Sequence, residues 1–147
     1  MEEKITGEHN NPGYADYIRH FLNLPSMDMK TYSPLVLAYI GDSVYDLVVK
    51  TAVVEQGNAP VNKLHKRVVG LVQATAQAEL YHHIQDQLTE EEMSVFKRGR
   101  NAKSFTSAKN AGVVEYRTAT GVEALIGYLY LTNQMDRILE LMKSILE

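Results

Sequence analysis

Two carboxylates in this sequence interrupt helices that are otherwise apolar, and acids placed that way are candidates for holding a cation. Asp42 falls within Ala38-Tyr39-Ile40-Gly41-Asp42-Ser43-Val44-Tyr45-Asp46. Helical steps of three or four through Leu35, Ala38, Asp42, Tyr45 and Val49 put it on an apolar stripe. An ionised carboxylate in such surroundings is costly unless a cation or hydrogen bonds compensate it. Gly41 adds a helix-propensity cost of roughly 1 kcal/mol and has no side chain to crowd a neighbour. Two local costs side by side predict a site rather than a scaffold. Glu123 is the single acid of the stretch from Thr120 to Leu131. It also stands three residues after Thr120, the spacing of a capping box, so a helix start is its plainer reading. Two carboxylates converging from separate helices can hold a hard cation such as Mg²⁺. A cation there lowers the pKa of bound water and stabilises charge developing on a phosphodiester.

Cationic groups are concentrated rather than spread. The chain of 147 residues has 18 acidic against 15 basic side chains, which excludes a global basic field. From Lys97 to Arg117, however, Lys97, Arg98, Arg100, Lys103, Lys109 and Arg117 face one acid, Glu115. Lys63, His65, Lys66 and Arg67 form a second cluster. A basic strip on an acidic protein is suited to a polyanion, although a solvated loop would carry the same charges.

The elements that must position these groups are helical. Ser33-Pro34 is an N-cap followed by proline at the first helical position, predicting a helix to about Glu55 that ends before Gly57. A short helix from Tyr14 to about Leu22, stopped by Pro25, precedes it. After Pro60 a single long helix is expected from about Asn62 to Gln85, with Leu64, Val68, Leu71, Val72, Thr75, Ala78 and Leu80 buried. Thr89 and Glu92 have capping-box spacing for a helix through about Arg98. Gly99 to Gly112 reads as a loop, and helices follow at about Val114 to Leu131 and Met135 to Leu146. No strand signal is present, so the fold class is all-α. Residues 1–13 read as a flexible tail and 14–147 as one domain. The absence of cysteine fits a reducing cytoplasm, and neither a spanning run nor a signal-peptide pattern is visible.

Leu37-Ala38-Tyr39-Ile40-Gly41-Asp42-Ser43 resembles the signature helix of the ribonuclease III catalytic domain. Glu123-Ala124-Leu125-Ile126-Gly127-Tyr128-Leu129-Tyr130-Leu131 resembles that family's second acidic helix. Between them, Leu64-His65-Lys66 and the block from Lys97 to Ser104 resemble the Mini-ribonuclease III branch. The resemblance runs from about Ser33 to Leu131 with its blocks in the expected order.

It implies an all-α homodimer of the catalytic domain, with no separate double-stranded-RNA-binding domain. It implies Mg²⁺-dependent cleavage of both strands of double-stranded RNA, leaving 5′-phosphate and 3′-hydroxyl ends with a short overhang. The characteristic substrate is large-subunit ribosomal RNA precursor, with room for assistance by a ribosomal protein. Asp42 and Glu123 become the catalytic and metal-holding residues. The wider family usually has acids where this chain has Ala38 and Thr120, which favours one metal over two and leaves Thr120 to orient a water. Lys66, Arg67, Arg98, Arg100, Asn101 and Lys103 are the expected RNA contacts, the last four on a mobile loop, because A-form RNA is held by its phosphates and shape. Leu35, Tyr39 and Val49 suit a dimer interface; Tyr45, Tyr128 and Tyr130 suit the core or that interface. Asp46 reads as a solvated helical acid. The replacements at Ala38 and Thr120 also admit an RNA-binding dimer weakened in catalysis, and two structurally buried acids would admit a helical interaction protein.

Overall fold

The computed structural model describes residues 13–103 and 112–147. Apart from Gly13, the expected tail lies outside the described residues, as do 104–111 of the expected loop. The helices are α1 (Tyr14–Phe21), α2 (Pro34–Glu55), α3 (Val61–Val72), α4 (Ala74–Ile84), α5 (Glu90–Asn101), α6 (Gly112–Leu131) and α7 (Met135–Leu146). There is no strand among the described residues.

Local chemistry accounts for most of the boundaries. The Ser33 hydroxyl accepts from the Val36 amide at 3.2 Å, capping α2 as its sequence predicts. Thr89 and Glu92 close the expected capping box at α5. The stop of α1 comes before Pro25: Asn23 takes a left-handed φ of 57°. The Leu24 amide then donates back to the Arg19 carbonyl at 2.9 Å, satisfying an end that would otherwise be open.

The long helix expected between Asn62 and Gln85 is two helices. Gln73 is extended at φ −71°, ψ 162°, and ends α3 while opening α4. The bend lets α3 lie along α2 while α4 turns onto α6. Hydrophobic spacing continues through the break, which is why periodicity alone misses it. Thr75, expected on the buried side, is exposed as a result. Helix α5 in turn runs past Arg98 to Asn101, so Arg98 and Arg100 belong to a helix and not to a loop.

Helix α6 is the centre, buried nearly all round and packed by α2, α4, α5 and α7. It crosses α2 at backbone distance. A Cβ added to Gly41 would lie 1.7 Å from the Glu123 carbonyl oxygen, and one on Gly127 would lie 1.9 Å from that of Leu37. On α6's other flank a Cβ on Gly99 would meet the Ala124 Cβ at 2.6 Å. Tyr45, Phe96, Leu125, Ile126, Leu129, Ile138 and Met142 fill the core around this crossing. No helix among the described residues is long and apolar enough to cross a membrane.

Candidate active site

The close crossing of α2 and α6 places Asp42 and Glu123 together. Gly41 immediately precedes Asp42, and the carbonyl facing Gly41 is that of Glu123 itself. The two side chains are within hydrogen-bonding reach of each other. Their exposure differs from the sequence expectation. The buried face of α2 is Leu37, Ala38, Gly41, Val44, Tyr45, Val49 and Val53. Asp42 lies on the margin of that face and is exposed, as is Leu35. The desolvated acid is Glu123, whose pKa is pushed up to about 8 by burial first, then by the charge of Asp42 and their shared hydrogen bond. A hydrogen bond from Gln77 on α4 acts in the opposite sense.

The Thr120–Glu123 capping-box reading fails, because both residues lie well inside α6. The Thr120 hydroxyl donates to the Tyr116 carbonyl at 3.0 Å, keeping its proton on the helix backbone. Thr120 remains one turn before Glu123 on the same side of α6. The phenol of Tyr45 donates to the Leu71 carbonyl at 3.1 Å. Burial raises the pKa of that phenol, and the charge of Glu123 raises it further. Asp46 pairs with Lys50 at 3.1 Å along the helix surface, in line with its reading as a solvated acid.

Around this centre Lys66, Arg67, Arg98 and Arg100 stand on helices, and Lys103 lies two residues past the end of α5. Packing of Gly99 against Thr120, Gly121 and Ala124 brings the end of α5 alongside the turn that carries Glu123. Arg98 is exposed there and donates to the Tyr32 carbonyl at 3.4 Å. The Arg100 guanidinium lies 5.7 Å from the centre of the Phe96 ring, and its Nε donates to the Asn101 side-chain oxygen at 3.2 Å. Asn101 and Lys103 are exposed. Lys66 and Arg67 project from α3, one turn before the carbonyl bound by Tyr45. Ordering the basic end of α5 as helix holds these side chains with less loss of entropy on docking than a loop would.

The donor set is two carboxylates, and among the described residues no group of three His, Cys, Asp or Glu side chains forms a metal cluster. Two acids pressed together, one of them holding a proton, are relieved by a cation that prefers oxygen ligands and keeps several waters. The residues present therefore fit a hard divalent ion. Gln77 is the contact that sequence reading misses. A polar side chain among Ala74, Ala76 and Ala78 was the available signal, but the bend at Gln73 decides which way it faces.

The family model for the ribonuclease III domain matches residues 35–134. The chain belongs to the ribonuclease III family. Within it, the chain is similar to Mini-ribonuclease 3 of Clostridium tetani, at 52% identity over 120 residues, covering 81% of this chain and 80% of that protein. Mini-ribonuclease 3 of a Thermoanaerobacter species is 53% identical, with 78% and 83% covered. A crystal structure of a Fusobacterium nucleatum protein superimposes with a TM-score of 0.75 at 32% identity, covering 82% of this chain and 98% of that one. The all-α fold and the Mini-ribonuclease III resemblance are thereby confirmed, and the chain is an endoribonuclease.

Proposed function

We propose that this endoribonuclease cleaves double-stranded RNA with Mg²⁺ held by Asp42 and Glu123, its substrate being a duplex of large-subunit ribosomal RNA precursor. The observation that carries the reading is the meeting of these two carboxylates at the glycine crossing of α2 and α6. When bound, the cation supplies an activated water and stabilises charge on the cleaved phosphodiester. Glu123 gives up its proton on loading, and Asp42 faces the solvent side from which a phosphate approaches. Thr120 lies at the edge of the same pair and orients water through its oxygen lone pairs.

Lys66, Arg67, Arg98, Arg100, Asn101 and Lys103 contact phosphates and 2′-hydroxyls rather than base edges. The exposed apolar side chains Leu35, Val36 and Tyr39, with Tyr39 80% exposed, form the face on which a second copy docks, in the cytoplasm. A twofold dimer doubles the basic strips along one duplex. Val49 is fully buried within the protomer and takes no part in that face, contrary to the sequence expectation.

The test is cleavage of a labelled ribosomal-precursor duplex by wild type and Asp42→Asn, with Mg²⁺ and with EDTA. Asp42→Asn retains duplex binding and loses about 10³-fold or more in cleavage, the several kcal/mol that metal catalysis supplies. Full cleavage by the variant removes Asp42 from the metal site.

A further inference from the structure

Among the described residues Gln77, Glu92 and Thr118 are buried polar or charged side chains, and Gln77 is the most completely buried of them. Two are answered within the scaffold. Glu92 receives Arg137 and the Thr89 amide, and Thr118 donates to the Val114 carbonyl. Gln77, 1% exposed, lies instead where α4 packs on α6, its side-chain amide within hydrogen-bonding reach of Glu123. Only the amide N–H can donate to a carboxylate, so the bond fixes the direction of the amide group. Helix α4 packs on α6 and holds Gln77 there, with Ala78, Leu80 and Ile84 of the same helix also buried. A buried amide is unfavourable without a partner, and apolar residues of similar size would fill this place without that cost.

We infer that Gln77 is a positioning residue of the metal site, holding the Glu123 carboxylate in the orientation in which it and Asp42 together take a divalent cation. The inference rests on the Asp42–Glu123 reading of the site. Groups that hydrogen-bond a ligating carboxylate set its orientation, and their removal typically weakens metal binding about 10–100-fold. Gln77 reaches neither solvent nor RNA, so its loss acts through Glu123 alone.

The experiment is direct titration with Mn²⁺, by electron paramagnetic resonance and calorimetry, of the full chain carrying Gln77→Met, Glu123→Gln or both. Duplex affinity without metal is measured alongside. Gln77→Met raises the half-saturating Mn²⁺ concentration about 10–100-fold. Duplex affinity is unchanged, and cleavage at saturating metal recovers to within a few-fold of wild type. Adding Gln77→Met to Glu123→Gln produces no further loss of metal affinity. Wild-type metal affinity in Gln77→Met, beside a clear loss in Glu123→Gln, overturns the role of Gln77 and leaves the site standing. Wild-type affinity in Glu123→Gln overturns the site reading and this inference with it. If Gln77→Met does not fold, Gln77→Leu replaces it. Failure of both to fold, with Glu123→Gln folded, makes Gln77 a packing residue and overturns the proposal.

Discussion

Glu92 and Glu123 are both glutamates withdrawn from solvent on α5 and α6, and their surroundings drive their acidity in opposite directions. Glu92 closes a capping box at Thr89 and takes two hydrogen bonds from Arg137 of α7, each at 2.9 Å. Arg137 also binds the Gln87 carbonyl at 2.8 Å and Glu140 at 3.0 Å. The Glu92 pKa is lowered, chiefly by its hydrogen bond with Arg137. Glu123 has a second acid beside it in place of an arginine, and its pKa is raised. One glutamate is answered by an arginine of the fold; the other is pressed against a second acid, the arrangement that we propose receives a cation. Burial of an acid is thus no mark of function by itself, and what compensates it separates scaffold from site.

The largest break in this contrast comes from the backbone that forces Glu123 and Asp42 together. Gly41→Ala would set a Cβ 1.7 Å from the Glu123 carbonyl oxygen, with no flexible side chain to move aside. The helices must separate, at a cost of about 3 kcal/mol or more. The melting temperature falls roughly 10 °C, and Mn²⁺ binding is lost with the geometry. A variant that melts and binds metal like wild type would mean that the acids do not depend on this crossing.

The next effect belongs to the scaffold glutamate. Arg137→Met keeps the apolar stem and leaves Glu92 with its cap alone, costing about 2–3 kcal/mol, below the loss from a wholly buried pair because Arg137 keeps solvent contact. Thermal unfolding shows a drop of roughly 5–10 °C, while Mn²⁺ affinity at Asp42 and Glu123 is unchanged. A change in metal affinity without a change in melting would erase the division between the two glutamates.

The same division explains what was legible in the sequence. Caps at Ser33 and Thr89 act over three residues, so their helix starts could be read directly. Asp42 and Glu123 stood out because each interrupts an apolar run, and Gly41 because a helix tolerates glycine poorly. Which acid is desolvated was not legible. Residue spacing gives an angle around the helix axis, whereas exposure of Asp42 depends on where α6 crosses. The bend at Gln73 was hidden because helical spacing persists across it, and Gln77 was hidden with it. Arg98 and Arg100 were misread as loop because Gly99 between them suggests a break. Gly99 is there so that α5 can press on Ala124.

The finest distinction is between two opposite pH dependences in metal-free protein. Glu92 has its folded pKa below the ordinary 4.5, so its contribution to stability is full above that value and is lost as pH falls through the folded pKa. Glu123 has its folded pKa near 8, so the folded state holds an extra proton between about 4.5 and 8. Its contribution is full below pH 4.5 and drains away as pH rises through 8. Melting curves in EDTA should therefore weaken on both sides, the alkaline side because Glu123 must ionise while buried beside the charge of Asp42. Glu123→Gln removes the alkaline weakening and Glu92→Gln the acid one. Mg²⁺ should stabilise wild type more at pH 8 than at pH 6, because loading displaces the proton that Glu123 still holds at the lower pH. An alkaline limb that persists in Glu123→Gln would assign it to another group and separate the raised acidity of this pair from its readiness for a cation.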